Sequence, residues 1–276
     1  MVTNDDRKLG RFELGLGTGG LREHNRCVEA VTAALDAGYR HIDTARAYGN
    51  ERAIGRAIAQ SAVSRGDIFL ATKVHSRALS ADGVRASVTA SRQALDVDTI
   101  DLAYVHWPAH TYDPRETLDA LADLRAQGAI RHVGVSNVTA DLLEEACSVG
   151  DVPIFAVQVE LHPMLQQPEV RRVATIHGIR VVAHTPLCRG DVANIPTISA
   201  IAETHGLTDS QVVLSWLASK DAVTAIPGTS GRHLAENRDA VEYRLPSRAL
   251  ERIDAIAASD EAWRYVDYEF APWTRR

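Results

Sequence analysis

Short runs of β-branched and aliphatic residues alternate along the chain with stretches whose apolar positions recur at every third or fourth residue. The runs predict strands at Leu14–Thr18, Tyr39–Thr44, Ile68–Lys73, Ile100–His106, Arg131–Val135, Ile154–Val159, Ile179–His184 and Ala222–Ile226. Several are apolar with little alternation, the pattern of strands covered on both faces. Between them, Val28, Val31, Ala34 and Leu35 share one helical face, as do Ala53, Ile54, Ala57 and Ile58, with Asn50 as a cap candidate. Leu118, Leu121 and Leu124 mark a third helix, opened by Asp113-Pro114. Gly38, Gly128 and Gly178 stand between a helix and the next strand, where a C-terminal glycine cap belongs.

Strand–helix alternation of this extent favours a closed parallel (β/α)8 TIM barrel of the α/β class, as one domain over residues 1–276. Residues 262–276 hold aromatics and a proline and read as a loop folding over the barrel mouth. An open doubly wound sheet would carry a dinucleotide fingerprint, and Gly15-x-Gly17-x-x-Gly20 matches that string. No βαβ unit with a well-placed acidic residue surrounds it, so a glycine-rich turn at the barrel mouth is the better reading.

Composition narrows the function classes. A net charge of −6, from 30 basic and 36 acidic residues, supplies no field for nucleic acid or anionic membrane, so any bound anion needs a local cluster of donors. No apolar run reaches membrane-spanning length. The N-terminus lacks the apolar core of a signal peptide, and Cys27, Cys147 and Cys188 are far apart and in no metal spacing, which points to the cytoplasm.

Polar residues stand at six consecutive strand ends: Asp43, Lys73, His106, Ser136-Asn137, Gln158 with Glu160, and His184, followed by Pro227–Ser230. Chemistry in a barrel of this kind sits at those ends. Taken singly, each residue has a plain alternative. Asp43 can cap a turn, Lys73 can be solvated or form a Schiff base, His106 can be a core histidine, and Tyr48 can be an ordinary buried tyrosine. Together they make a proton-delivery group. A carbonyl accepting hydride becomes an alkoxide and needs a proton at that moment. Tyr48 is the acid, Lys73 is expected to lower its pKa, Asp43 holds Lys73 charged, and His106 donates a hydrogen bond to the substrate oxygen. No poised nucleophile is present, so the hydride comes from a cofactor.

The segments Asp43-Thr44-Ala45-x-x-Tyr48-Gly49-Asn50-Glu51, Thr72-Lys73, His106-Trp107-Pro108, Gly134-Val135-Ser136-Asn137, Gln158-Val159-Glu160-x-His162-Pro163, Pro186-Leu187-x-Arg189-Gly190 and Glu236-Asn237 carry a resemblance to the aldo-keto reductase superfamily. It runs through essentially the whole chain and is similar to the bacterial and archaeal branch that includes 2,5-diketo-D-gluconate reductases. The resemblance implies an NADP-dependent oxidoreductase that reduces aldehydes or ketones to alcohols, with a catalytic tetrad of Asp43, Tyr48, Lys73 and His106. It implies that Ser136, Asn137 and Gln158 bond the nicotinamide carboxamide, and that His184 stacks on the ring. Leu187, Arg189 and Gly190 would meet the pyrophosphate, and Thr229, Ser230, Glu236 and Asn237 the adenosine half. Thr18, Asp43, Thr185, Gly228 and Arg232 complete the implied cofactor contacts; Gly19, Tyr48, His106 and Trp107 are the implied substrate contacts.

Three departures stand out against the family pattern. Gly19 occupies a position that is often aromatic, which widens the pocket. His184 replaces a stacking aromatic, often tyrosine, and can also titrate. Gly228 replaces a lysine and His233 falls where an arginine is frequent, which leaves Arg232 and the Thr229 and Ser230 hydroxyls for a 2′-phosphate. NADPH preference with reduced discrimination against NADH follows, and a monomer is expected. The competing readings are a metal-dependent hydrolase built on His41, Asp43, His106, His162 and His184, a Lys73 Schiff-base aldolase, and a cofactor-binding regulatory module with little turnover. A lysine among divalent-metal ligands is repulsive, which disfavours the first, and no metal site is expected.

Overall fold

The computed structural model describes residues 14–258 and 263–274. Residues 1–13, 259–262 and 275–276, which include both ends of the expected domain and the start of its tail, lie outside the described residues.

All eight expected strands form, and they pair in parallel in chain order. They are β1 (Leu16–Gly17), β2 (His41–Asp43), β3 (Phe69–Val74), β4 (Ile100–Val105), β5 (Ile130–Ser136), β6 (Ile154–Glu160), β7 (Arg180–His184) and β8 (Val223–Ala225). Leu14 makes a parallel bridge to Ala225, and Gly17 N–H donates to Pro227 O at 3.1 Å, so the first and last strands meet. The helices are α1 (His24–Asp36), α2 (Glu51–Gln60), α3 (Ala81–Leu95), α4 (Pro114–Ala126), α5 (Ala140–Val149), α6 (Pro168–His177), α7 (Pro196–His205), α8 (Asp209–Ala218), α9 (His233–Glu242) and α10 (Ser247–Asp254). This is a single-domain (β/α)8 architecture.

Two apolar cores explain why the strands lack alternation. Phe69, Ala71, Leu102, Tyr104, Ala156, Val182 and Ile226 pack together inside the barrel. Leu70, Val74, Ala103, Val105, Val157, Val159, Val181 and Ala183 belong to the larger core under the helices. Side chains along a strand alternate between these faces. The period carries the inward face from Leu102 and Tyr104 to His106, from Phe69 and Ala71 to Lys73, from Ala156 to Gln158 and Glu160, and from Val182 to His184. Beyond the apolar layers the inward position reaches the mouth, and there it is polar.

The cap predictions fare unevenly. Asp113 accepts Glu116 N–H at 2.8 Å and Pro114 opens α4, as expected. Gly38, Gly128 and Gly178 all have positive φ, at 94°, 75° and 66°. Asn50 occupies the N-cap position of α2 without capping it; its side chain makes no bond to that helix end. Gly17 lies on β1 and Gly15 between that strand and the Leu14 bridge, whereas Gly20 stands in the turn that follows, so the expected turn holds only for the end of the segment. A Cβ on Gly17 would stand 2.5 Å from Ile226 O, so close approach at the β1–β8 seam explains that glycine.

Candidate active site

Inward projection from β2 and β3 brings Asp43 and Lys73 together. Lys73 is 1% exposed, and its Nζ donates to Asp43 Oδ1 and, at 2.8 Å, to Thr44 O. The other Asp43 oxygen accepts Gln158 Nε2–H at 2.8 Å. Lys73 Nζ lies 5.4 Å from the centroid of the Tyr48 ring, so each group bears on the ionisation of the other. The His106 ring meets the Tyr48 ring edge-on at 5.8 Å. The structure thus brings Asp43, Tyr48, Lys73 and His106 to one place.

Electrostatics refine the sequence expectation. Burial opposes the Lys73 charge, but Asp43 and then Tyr48 outweigh it and hold the ammonium above its ordinary pKa. Burial pushes the Tyr48 phenol above its ordinary value, and Lys73 offsets only part of that rise. The expected lowering of the Tyr48 pKa is therefore corrected: desolvation exceeds the attraction of the ammonium, and the phenol stays protonated. Burial, with Lys73 and His184 beside it, depresses His106 well below its ordinary value, so its ring is neutral and can donate one N–H.

The strand-end amides form a second group. Asn137, at φ 58°, donates from Nδ2 to His106 O at 2.9 Å and to Ser136 Oγ at 3.0 Å. Its Oδ1 pairs with His184 Nε2 at 2.9 Å, while His184 Nδ1 pairs with Thr185 Oγ1 at 3.0 Å. This pattern requires the Nε2–H tautomer, because the Asn137 oxygen can only accept. Burial lowers the His184 pKa to about 4, so the titration near neutrality considered for this residue does not occur. One lone pair on Asn137 Oδ1 and the Ser136 hydroxyl proton remain for a ligand.

Thr18 donates from Oγ1 to Asp43 O at 2.9 Å, which ties the β1 turn to the tetrad. A Cβ on Gly19 would touch the Tyr48 ring at 3.4 Å and its hydroxyl at 3.6 Å, so the glycine leaves that side of the phenol open. Across the site, Trp107 is buried under the tail: Tyr268, Phe270 and Trp273 lie 5.2, 5.6 and 5.5 Å from its ring.

The remaining candidates sit on the β7 and β8 sides of the mouth. Leu187 is half-buried, while Arg189 and Gly190 are exposed with positive φ of 54° and 104°. Gly228, Ser230 and Arg232 are exposed and Thr229 is half-buried, just before α9. Glu236 lies against both neighbouring side chains, with His233 Nδ1 at 2.7 Å and Arg232 Nε at 3.9 Å. Asn237 is turned inward and buried. Among the described residues no three His, Cys, Asp or Glu side chains converge as a metal-ligand set. His41 is fully buried with both ring nitrogens unpartnered, and His162 is held by Glu160 at 3.0 Å.

Sequence reasoning missed the scaffold beneath Tyr48. Asn50 donates to Thr18 O at 2.9 Å and Leu21 O at 3.0 Å, and accepts Thr44 Oγ1–H at 2.7 Å. Glu51 accepts Thr72 Oγ1–H at 2.8 Å and pairs with Arg46 at 2.9 Å. The only available signal was an Asn-Glu pair following a turn, which local rules read as a helix start. Glu160 was seen only as a strand end; both of its oxygens bond the tail.

Comparison with known proteins agrees with this geometry. Residues 13–258 match the model of the Aldo/keto reductase family. An aldo-keto reductase of Mycolicibacterium smegmatis is 39% identical over 261 residues, covering 93% of this chain and 92% of that protein. A crystal structure described as a 2,5-diketo-D-gluconic acid reductase B superposes with a TM-score of 0.89 at 33% identity, covering 94% of this chain and 91% of that one. A thermostable aldo-keto reductase in complex with the inhibitor epalrestat gives a TM-score of 0.83 at 36% identity, covering 88% and 94%. With the strand order and these matches in agreement, the chain belongs to the aldo/keto reductase family, whose members are NAD(P)H-dependent carbonyl reductases.

Proposed function

We propose that this protein reduces an aldehyde or ketone to the alcohol with NADPH, Tyr48 donating the proton. The carrying observation is the buried Asp43–Lys73 pair set against the Tyr48 phenol, with the His106 ring edge-on to it. A bound nicotinamide supplies the hydride. The chain's part is to hold a proton at the Tyr48 hydroxyl, to keep an ammonium behind it, and to present a His106 N–H beside the substrate oxygen. As the phenol gives up its proton, Lys73 stabilises the phenolate, and Asp43 keeps Lys73 charged throughout. A raised Lys73 pKa disfavours the Schiff-base reading, which needs a neutral amine.

The cofactor fits the donor set at the mouth. The Ser136 hydroxyl and the free lone pair of Asn137 suit a carboxamide, Gln158 stands beside them, and His184 and Thr185 border the same place. The exposed turn at Leu187, Arg189 and Gly190 would take the pyrophosphate, and Gly228, Thr229, Ser230, Arg232, Glu236 and Asn237 the adenosine half. Glu236 lies against both Arg232 and His233, which weakens their hold on a 2′-phosphate. NADPH is therefore preferred, with NADH also used. A kcat/KM ratio of NADPH over NADH above about a thousandfold, some 4 kcal/mol, overturns this.

Free Cys27, Cys147 and Cys188 suit a reducing compartment such as the cytoplasm. Among the described residues only Ile176, Trp263 and Tyr268 are large exposed hydrophobics, which suits a monomer. The decisive experiment is NADPH consumption over a panel of aldehydes and ketones, for wild type and Tyr48→Phe. The variant is expected to lose at least about a hundredfold in kcat while binding cofactor normally. An unchanged kcat refutes the assignment of Tyr48.

A further inference from the structure

The Glu160 carboxylate has no part in the proton-delivery group, yet it is buried to 2% exposure at the inward end of β6. Its Oε1 accepts Tyr265 N–H at 2.6 Å and its Oε2 accepts Val266 N–H at 3.0 Å. Two consecutive backbone amides of the tail thus end on the two oxygens of one side chain. His162, fully buried, donates from Nε2 to Oε1 at 3.0 Å and sets its ring edge against Tyr265 at 5.5 Å. The anchor is itself fixed, since Glu160 O accepts Gln167 Nε2–H at 2.9 Å.

Downstream of this point the tail braces itself. Trp273 Nε1–H reaches Asp267 Oδ1 at 2.9 Å, and Tyr268 stacks on Phe270 at 5.1 Å. The same segment covers Trp107, next in sequence to His106, with Tyr268, Phe270 and Trp273 against its ring. Gly19, whose added Cβ would lie 3.4 Å from the Tyr48 ring, offers no side chain to the site. The tail is the wall against which a large substrate would rest, and a carboxylate on the barrel sets where that wall stands.

We propose that Glu160 is a specificity-determining positioning residue: by fastening the amides of Tyr265 and Val266 it places Tyr268, Phe270 and Trp273, and so selects which carbonyl compounds reach Tyr48. This rests on the reductase reading above. Small aliphatic aldehydes do not span to the tail and are indifferent to the latch; bulky aryl ketones depend on it.

Glu160→Gln keeps the shape and removes one acceptor. Steady-state kinetics with propanal and with a naphthyl ketone are compared for both proteins, together with hydrogen exchange of a peptide containing residues 265–266. The variant is expected to exchange faster there, to raise KM for the naphthyl ketone about tenfold with kcat little changed, and to leave propanal turnover and cofactor Kd within about twofold. Unchanged exchange, equal losses on both substrates, or loss on neither overturns the latch. Failure of the wild-type protein to turn over any carbonyl overturns the reductase reading instead, and the proposal with it.

Discussion

Burying an ammonium costs several kcal/mol unless its partners restore what water gave, and Lys73 has those partners in Asp43 and Thr44 O, with the Tyr48 ring 5.4 Å away. The charge is retained where an apolar barrel would otherwise neutralise it. Lys73→Met is expected to lower kcat at least about a hundredfold, because the developing phenolate loses its counter-charge. Stopped-flow turnover with cofactor Kd as a control checks this; a kcat within about twofold of wild type would show that the ammonium is dispensable. The same environment sets the pH profile. Tyr48 lies above its ordinary value and His106 well below its own, so neither changes charge between about pH 6.5 and 9. Carbonyl reduction should be flat across that window. A histidine-like inflection near pH 6.5 in kcat/KM counts against a neutral His106.

The turn between β2 and α2 shows how an element is aimed by contacts outside itself. Ala45–Tyr48 N–H bonding makes one 3-10 turn, too short to hold a phenol in register by itself. Asn50 supplies the missing constraint by gathering Thr18 O, Leu21 O and the Thr44 hydroxyl onto one buried amide. Asn50→Ala removes three hydrogen bonds and leaves buried groups unpaired, which should cost about 2–3 kcal/mol. Thermal unfolding should fall by several degrees, and kcat should fall with it because Tyr48 loses its support. A variant with wild-type Tm would show that the turn holds without the amide. Local pattern foresaw every strand here, since each strand carries its own apolar signature. It misjudged Asn50, because a cap and a tertiary cross-link use the same residue type.

At the scale of the whole molecule, closure of the barrel gathers histidines into surroundings that refuse their charge. Burial lowers His41 and His184 to about 4 each. The unfolded chain takes up protons near pH 6.5, whereas the folded protein does not until about 4, so the unfolded state binds more protons in between. Stability is therefore full above about pH 6.5 and declines as the pH falls through that interval, by on the order of 3 kcal/mol for the fully buried His41. Denaturant midpoints measured from pH 7.5 to 4.5 should decrease steadily. Replacing His41 with a residue that does not titrate should flatten the decline; a parallel slope in that variant would assign the acid sensitivity elsewhere.

Alternation of apolar runs and helical faces was sufficient, from sequence alone, to determine eight strands, their parallel class and the polar residues at their ends, because those properties depend on periods of two and 3.6 residues that each segment carries within itself. Asp43, Lys73 and His106 were placed at strand ends by that same alternation, whereas Tyr48, on a turn, was singled out by the chemistry of the group and by family resemblance. Only the tertiary structure decided that burial outweighs the ammonium at Tyr48, that Asn137 is locked to His184, that Asn50 braces a turn, and that Glu160 holds the tail. Each of these depends on groups distant in sequence, whose desolvation and hydrogen-bond partners exist only once the barrel has closed.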